Sequence, residues 1–516
     1  MAIEEFDYVV VGAGTAGSVL ANRLSAEQDV RVLVIEAGGN FVPANVDIAP
    51  LWFTLLGSPV DWGYRTVPQP ALGDRVVYEP RGKLPGGSSN LYIMMHVRGH
   101  RSDFDNWAYQ GAAGWSYADL LPYLERLETV QTVTSAGGPD AHPMSRVFID
   151  ACKDLGYPET DDFNGPQMIG TGWHHIDVKD GQRQGALHAY LEPALGRPNL
   201  VLRTGAQAMN LVFEGDRCVG VRYRQDAVAP HEGEGRTLDP VGLAEPGVHT
   251  VRATREVVVC LGAIESPKLL LLSGLGPAAQ LRGLDIPVLA DLPGVGENFH
   301  NHVLTGLVAE TVEPVQQGRQ NLSESALFTV SEAGMVAPDI QMAFVHVPFD
   351  IIVGQSHPNA VSILPGVVRP NSRGSIRLAG TDPFAPPLID PNYLGDRSDL
   401  DRLVQGFELA RDIFAAPSFK PHLKGELMPG PDVRTREDVV RFVRERADCY
   451  HHQAGSCRMG IDDLAAVDPQ LRVRGVAGVR VVDASVMPAV PSGNCHTAIV
   501  AIAERAADLI KEARDV

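Results

Sequence analysis

The stretch Tyr8-Val9-Val10-Val11-Gly12-Ala13-Gly14-Thr15-Ala16-Gly17 decides the fold of this chain. Its apolar residues favour a strand, its glycines favour a turn, and residues 16–26 then carry Val19, Leu20 and Leu24 on one helical face. The first glycine permits the tight turn, the second lets a pyrophosphate approach the helix N-terminus, and the third permits close helix packing. The stretch therefore predicts a Rossmann-type unit that binds a dinucleotide.

An acidic residue completes this unit. Glu36 ends the next apolar strand, residues 30–35, at about the 20-residue spacing from the last glycine that is typical of such sites. A carboxylate there accepts hydrogen bonds from ribose hydroxyls and disfavours a 2′-phosphate. These observations alone do not distinguish FAD from NAD.

Further apolar stretches predict the rest of the architecture. Strands that return to the first sheet are expected at 200–202, 211–213, 220–223 and 257–260. The polar, proline- and glycine-rich residues 225–250 predict an exposed excursion between two strands. A sheet covered by helices is predicted from strands at 340–347, 361–368 and 375–378 and a helix at 400–414. A last strand (478–483) and an amphipathic helix (497–512) end the chain.

Composition limits the class of protein. A length of 516 residues exceeds the size at which one core stops growing, which predicts two lobes. The net charge of -19 disfavours nucleic acid as a partner, and no apolar run reaches the length of about 20 residues that membrane insertion needs. Six cysteines without CxxC pairs, and no leader-like N-terminal segment, favour a reduced, cytoplasmic setting. Composition leaves the oligomeric state open.

A second group of motifs points to one family. Residues 81–89 are Arg-Gly-Lys-Leu-Pro-Gly-Gly-Ser-Ser, and residues 262–276 are Gly-Ala-Ile-Glu-Ser-Pro-Lys-Leu-Leu-Leu-Leu-Ser-Gly-Leu-Gly. Both resemble signatures of the glucose-methanol-choline (GMC) oxidoreductases, and the second matches at every defined position. Further similar blocks occupy 97–99, 103–107, 292–298, 338–341, 387–393 and 482–488, so that the resemblance covers nearly the whole chain.

The resemblance implies FAD as the cofactor and an α/β fold, in which a Rossmann-type FAD-binding domain carries a second, α+β substrate-binding domain with an antiparallel sheet covered by helices. The implied FAD-binding domain is discontinuous and comprises residues 1–155, 200–300 and 455–516, and the substrate-binding domain comprises 156–199 and 301–454. The family places Glu36 on the adenosine ribose, Ala208 near adenine, and Asp483 with Ala484 beside the flavin chain. The full set of expected cofactor residues is Gly12, Gly14, Thr15, Ala16, Gly17, Glu36, Ala37, Gly87, Ser88, Asn90, Tyr92, Ala208, His451, Asp483 and Ala484.

Oxidation of an alcohol requires a base for its hydroxyl proton, and histidine suits this task. Residues 449–460, Cys-Tyr-His-His-Gln-Ala-Gly-Ser-Cys-Arg-Met-Gly, resemble the family block with the catalytic histidine and select His452 as the base. In residues 491–497, Pro-Ser-Gly-Asn-Cys-His-Thr, the position that the family fills with His or Asn is His496, which is expected to bond the substrate oxygen. The resemblance thus implies oxidation of a primary alcohol to an aldehyde, with hydride transfer to flavin N5 and either O2, giving H2O2, or a quinone-type acceptor.

Several positions depart from the family pattern. Leu91 stands where some members carry a histidine linked covalently to flavin, so non-covalent FAD is expected. Pro85, Tyr92, His451 and Gln453 also differ from the common residues, and they leave the alcohol undefined: aryl, furanic, pyridine-type and aliphatic primary alcohols all fit.

Other interpretations of the same residues stand beside this one. The paired histidines between Cys449 and Cys457 resemble zinc ligands but lack the regular ligand spacing, so no metal is expected. The other histidine clusters are interpreted as structural or surface residues, and His188 has no assigned role; the clusters are His174, His175, His300 and His302. The glycine motif alone also fits an NAD-linked dehydrogenase, and the family scaffold also hosts non-redox members, a hydroxynitrile lyase and a light-driven fatty acid decarboxylase.

Overall fold

The computed structural model describes residues 3–227, 233–239, 244–349 and 359–513. The helices in chain order are α1 Thr15–Leu24, α2 Arg101–Tyr109, α3 Tyr117–Val130, α4 Pro143–Asp154, α5 Gly262–Leu272, α6 Ala278–Gly283, α7 Arg397–Ala415, α8 Arg436–Arg446 and α9 His496–Glu512. The strands are β1 Glu4–Val11, β2 Val32–Ile35, β3 Phe41–Pro43, β4 Tyr64–Arg65, β5 Tyr78–Glu79, β6 Met95–His96, β7 Thr134–Ser135, β8 Gly170–Trp173, β9 His175–Ile176, β10 Val178–Lys179, β11 Gln182–Arg183, β12 Leu200–Arg203, β13 Ala206–Glu214, β14 Arg217–Gln225, β15 Gly235–Thr237, β16 Gly247–Val259, β17 Leu275–Gly276, β18 Ala290–Asp291, β19 Val303–Leu304, β20 Leu307–Thr311, β21 Ser325–Thr329, β22 Ile340–Val345, β23 Ala360–Val367, β24 Ser375–Arg377, β25 Leu388–Asp390, β26 Leu423–Met428, β27 Asp448–Cys449 and β28 Val479–Val481.

The first sheet contains the predicted nucleotide-binding unit. Its strand order is β12-β2-β1-β16-β14-β13, with β28 beside β16. The strands from β12 to β16, and β28, are parallel, whereas β14 and β13 are antiparallel. Val9 lies in register between Leu33 and Val257, and all three are buried, as is typical of parallel strands covered on both faces. The C-terminal helix α9 packs on α1, so the two ends of the chain meet on this sheet.

The second sheet is antiparallel, with the order β26-β20-β23-β22-β21-β8, and β19 joins β23 to β27. On its outer face Met342 and Phe344 of β22 contribute to a core with α4, α7 and α8. On its inner face Ala343 and Val345 contribute to a smaller core that includes Tyr450. This alternation is the period-two pattern of a strand buried on both faces. The two sheets confirm the predicted fold class.

Two segments pack in the core of the other domain from the one to which the sequence assigned them. Helix α4, predicted within residues 1–155, packs against the second sheet, where the rings of Phe148 and Phe344 stack with centroids 5.3 Å apart. Residues 187–191, predicted in the substrate-binding domain, pack with α1, and the Tyr190 carbonyl accepts a hydrogen bond from Asn22 at 2.7 Å. Apolar periodicity shows that a segment buries a face, but it does not show against which sheet. The other boundaries stay predictions.

Two other predictions concern the strand at 375–378 and the excursion at 225–250. The predicted strand at 375–378 does not join the covered sheet, because β24 pairs with β25 in a separate two-stranded sheet. The predicted excursion at 225–250 lies partly outside the described residues, and its described part contains β15, which pairs with β3.

Two findings bear on the compositional predictions. The six cysteines are all free, as predicted. No helix in the described part of the chain combines the length and apolar character that crossing a bilayer requires.

Candidate active site

A cleft opens where β1, β2 and β16 end. Open α/β sheets bind their ligands at this carboxyl edge of the parallel strands. Further walls come from the 86–90 loop, from the start of β13 and from the segment after β28. The predicted cofactor residues that line the cleft are Gly12, Gly14, Thr15, Ala16, Glu36, Ala37, Gly87, Ser88, Ala208, Asp483 and Ala484.

Close backbone approach explains the glycines of the cleft. Gly12 has φ +100°, and a Cβ at this residue would lie 2.7 Å from the Cys260 carbonyl oxygen. A Cβ at Gly17 would lie 1.9 Å from the Gly12 carbonyl oxygen, so Gly17 closes the turn beneath the cleft and does not line it. Gly87 has φ +54° and approaches Gly14 so closely that its Cβ would lie 2.7 Å from the Gly14 Cα. The 86–90 loop therefore packs directly on the N-terminus of α1.

Two buried carboxyl groups border the cleft and accept hydrogen bonds from backbone N–H groups. Glu36 accepts from Ala13 and from Gly38, both at 2.8 Å. Asp483 accepts from Gly262 at 2.9 Å. Burial raises the pKa of Glu36 and of Asp483, and these hydrogen bonds oppose the rise. Both side chains are thus held in place by the protein itself.

These features fit a dinucleotide such as FAD. The N-terminus of α1 offers backbone N–H groups and the positive end of the helix dipole, which together bind a pyrophosphate. The approach of Gly14 to Gly87 leaves no side chain in the way at this point. Glu36 lies at the end of β2, where a ribose would meet it.

Asn90 and Tyr92 are expected to bind the cofactor, but neither residue lines the cleft. The Asn90 amide nitrogen donates to the Pro85 carbonyl at 2.7 Å and holds the loop from behind. The Tyr92 hydroxyl donates to Asp177 at 2.6 Å, and its ring centroid lies 4.6 Å from that of His496. Local sequence does not decide which side of a loop faces the ligand, so their contacts with FAD stay predictions.

His451 is also absent from the cleft wall. Its Nδ1 lies 3.2 Å from the Cys449 sulfur, and its carbonyl accepts a hydrogen bond from Arg81 at 2.7 Å. Its backbone has φ +66°, which turns the chain sharply just before His452. Burial, together with the charge of Arg81, lowers the pKa of His451 to about 3. His451 thus shapes the backbone beside the predicted base.

A second imidazole holds His452. The antiparallel pairing of β19 with β27 continues outward, because His300 and Ala454 also exchange backbone hydrogen bonds. The pairing brings His302 to His452, with their Nδ1 atoms 2.9 Å apart. On the other side of the ring, Nε2 of His452 lies 3.1 Å from the amide nitrogen of Asn494. His452 is therefore fixed at both ring nitrogens.

The surroundings of the two imidazoles favour their uncharged forms. Burial lowers the pKa of His452 well below its usual value, and the neighbouring His302, His451 and Arg81 lower it further. Burial likewise lowers the pKa of His302 to about 3. A neutral imidazole can accept a proton, so His452 is in the form that a general base requires.

His496 begins α9 and lies apart from this pair. Its Nε2 lies 3.4 Å from the Gln131 side chain, and its ring packs on Tyr92. Burial lowers the pKa of His496 to about 4. Asn494, two residues earlier, is the side chain that contacts the predicted base. The predicted bond between His496 and a substrate oxygen stays a prediction.

His302, interpreted from the sequence as a structural or surface residue, is buried and contacts His452. His300, interpreted in the same way, is buried, contacts the Asn298 carbonyl at 2.5 Å and accepts from the Val490 N–H at 2.9 Å. Within the described ranges, no group of three His, Cys, Asp or Glu residues is arranged to hold a metal.

The chain is similar to known proteins along most of its length. Family models described as GMC oxidoreductase match residues 6–304 and 370–503. The oxygen-dependent choline dehydrogenase of Brucella ovis is 36% identical, over 98% of this chain and 95% of the relative. Pyridoxine 4-oxidase from Mesorbium loti superposes with a TM-score of 0.87 at 32% identity, over 98% of each chain. A formate oxidase variant of Aspergillus oryzae RIB40, studied for FAD modification, has a TM-score of 0.88 at 25% identity, over 100% of this chain and 99% of that one.

Fold, site and relatives together define an FAD-dependent oxidoreductase that acts on alcohol donors. The chain belongs to the GMC oxidoreductase family. These relatives are dehydrogenases and oxidases, and they give no support to the non-redox or NAD-linked alternatives.

Proposed function

We propose that this protein oxidises a primary alcohol to an aldehyde, with His452 as the general base. The observation that carries the proposal is the buried imidazole of His452, held between His302 at 2.9 Å and Asn494 at 3.1 Å. Bound FAD would supply the hydride acceptor, at its N5 atom. The side chains of the protein would move the proton and orient the alcohol.

The hydrogen bonds indicate which nitrogen is the base. With the amide nitrogen of Asn494 as donor, Nε2 of His452 carries no proton and accepts this hydrogen bond through its lone pair. The ring proton of His452 is then on Nδ1 and is donated to Nδ1 of His302. When the alcohol displaces the Asn494 amide from Nε2, Nε2 takes the hydroxyl proton, and His302 stabilises the imidazolium through the Nδ1 hydrogen bond. This is the arrangement of a base oriented by a third group.

The inner face of the second sheet favours an aromatic alcohol with a further hydrogen-bonding group. The Tyr450 ring lies 5.0 Å from that of His452 and packs over Gly366, where a Cβ would approach it to 2.6 Å. Gln341 is the cross-strand partner of Gly366 and so lies near Tyr450. The Tyr450 hydroxyl and both amide atoms of Gln341 are buried without a partner among the described residues. Buried polar groups require partners, and a substrate would supply them.

Among the alcohols left open, a pyridine-type or hydroxylated aryl primary alcohol best matches this face. The relative from Mesorbium loti is, by name, an oxidase of pyridoxine, which supports this choice. The relative from Brucella ovis is, by name, a dehydrogenase of choline, so choline belongs in the test.

An anaerobic screen of flavin bleaching tests substrate and reaction together. The panel is pyridoxine, 4-hydroxybenzyl alcohol, benzyl alcohol, butanol and choline. We expect faster bleaching with the first two than with benzyl alcohol, by a factor of about 5 to 150, since each lost hydrogen bond to a buried group costs about 1–3 kcal/mol. Preference for choline or butanol would overturn the proposed substrate class. The same reactions in air, with peroxide detection and with a quinone dye, decide the acceptor.

Variants test the assigned base. His452→Ala should keep its flavin colour but reduce it more slowly by a factor of about 10² to 10⁴. His422→Ala, at an exposed position, is the matched control and should reduce at the wild-type rate. Normal reduction of His452→Ala would show that another group is the base.

We also propose that FAD is held without a covalent bond. Leu91, at the position where some family members carry the linked histidine, is a buried apolar residue without a nucleophilic atom. Acid precipitation should therefore release the yellow colour into the supernatant. Colour that stays in the protein pellet would contradict this proposal.

A further inference from the structure

The amide of Gln453 is a buried group at the cleft that the proposed function does not use. Gln453 is one of the residues that line the cleft, and it is 1% exposed. Its Oε1 has no hydrogen-bond donor among the described residues. An unpaired buried carbonyl costs about 1–3 kcal/mol. A ligand with an N–H or O–H group would therefore be favoured at this point.

The opposite end of the amide is held by a buried carboxylate. Nε2 of Gln453 donates to Glu79, and it lies 3.3 Å from the Cys449 sulfur. Glu79 is fully buried and also accepts from the Tyr393 hydroxyl at 2.6 Å. Burial raises the pKa of Glu79, and hydrogen bonds from Tyr393, Gln453 and Cys449 oppose the rise. A carboxylate only accepts, so it binds the NH2 end of the amide and leaves Oε1 as the end without a partner.

Gln453 lies at the catalytic end of the cleft. It follows His452 in the chain, and Gly455 donates its N–H to the Ala484 carbonyl at 3.1 Å. The other end of the cleft is formed around Glu36, whose carbonyl accepts from the Ala206 N–H at 2.7 Å. Since an acid at the position of Glu36 binds the adenosine ribose in such folds, the opposite end would take the isoalloxazine.

We propose that Oε1 of Gln453 accepts a hydrogen bond from the imide N–H of the isoalloxazine of bound FAD, and that Glu79 is the positioning residue for this amide. The imide N3–H is the only ring N–H of oxidised isoalloxazine, and the atoms beside it are acceptors. Because Glu79 holds the NH2 end of the Gln453 amide, Oε1 cannot rotate away, and it is suited to accept from the N3–H edge of the ring.

Binding of an N3-methylated FAD to the full-length protein tests the contact without relying on turnover. The methyl group removes the donor, so wild type should bind FAD more tightly than 3-methyl-FAD by a factor of about 5 to 150. Gln453→Ala has no acceptor at this point and leaves more space. Its dissociation constants for FAD and 3-methyl-FAD should therefore agree within about twofold, because the hydrogen bond is absent with either flavin. Equal binding by wild type, or unchanged discrimination in Gln453→Ala, would overturn the proposal.

Two further variants separate this contact from general damage to the cleft. Glu79→Gln keeps the size of the side chain but can donate to Oε1, so discrimination between the two flavins should fall. Gln207→Leu alters the cleft wall at the adenosine end and should leave discrimination unchanged. The visible absorption bands of the holoenzyme should shift in Gln453→Ala and Glu79→Gln but not in Gln207→Leu. Loss of discrimination in all three variants would show a structural effect and would overturn the assignment.

Discussion

The contact between His302 and His452 is the part of the site that local sequence did not reveal, and it can be tested by substitution. His302→Leu removes the acceptor at Nδ1 and leaves the Nδ1–H of His452 buried without its partner at 2.9 Å. His302→Asn keeps a polar atom near the position of Nδ1, because the asparagine amide is at a similar distance from the backbone. Both variants lose the imidazole, but only His302→Asn keeps a group that can form the hydrogen bond to His452.

The expected magnitude follows from the burial of both rings. His302 is fully buried and His452 nearly so, so water cannot replace the lost partner. An unsatisfied buried group costs about 1–3 kcal/mol, and the cost falls on the protonated form of His452 as the alcohol is deprotonated. Flavin reduction by His302→Leu should therefore be slower by a factor of about 5 to 150. His302→Asn should remain within about fivefold of wild type if its amide retains the hydrogen bond.

The assay is stopped-flow flavin reduction under anaerobic conditions with a saturating alcohol. FAD content and the dissociation constant of the alcohol are measured for each variant, so that a loss of binding is not mistaken for a loss of catalysis. Reduction of His302→Leu at the wild-type rate would refute the role of His302. Equal, large losses in both variants would show that the hydrogen bond is not what matters.

Three more predictions address the pH response and the cofactor cradle. Burial holds the pKa of His452 well below its usual range. The rate of flavin reduction should therefore not decline between about pH 8 and pH 6. A decline in this rate with a midpoint near the usual histidine pKa of about 6.5 would contradict the prediction. Burial lowers the pKa of His96, but its two carboxylate partners outweigh this effect and raise it to about 9. Stability from His96 should be complete below about pH 6.5 and lost as the pH rises through about 9, by at most about 3 kcal/mol, and thermal unfolding of His96→Asn should lack this component of the pH dependence. Gly87→Ala would place a Cβ 2.7 Å from the Gly14 Cα, so the purified variant should carry little FAD by absorbance, while Gly196→Ala, with open space around it, should stay yellow.

Much of the fold was predictable because its signals are local. The run from Tyr8 to Gly17 specifies strand, turn and helix through apolar pattern and glycine conformation, which act between near neighbours in the chain. Glu36 was predictable for the same reason, since it ends the adjacent strand. The packing of α4 was not, because an amphipathic helix fits either sheet equally well until both have formed.

The amino-acid sequence alone determined the nucleotide-binding unit and the family, and it selected His452 as the predicted base, because each depends on residue type and spacing within a short segment. Only the tertiary structure decided what surrounds that histidine: His302 is 150 residues away in the chain, and Glu79 is 374 residues from Gln453. Antiparallel pairing of β19 with β27 brings the first pair together. Such a pairing joins segments through hydrogen bonds between backbones, whose register depends on the whole sheet, so no local pattern encodes the contact.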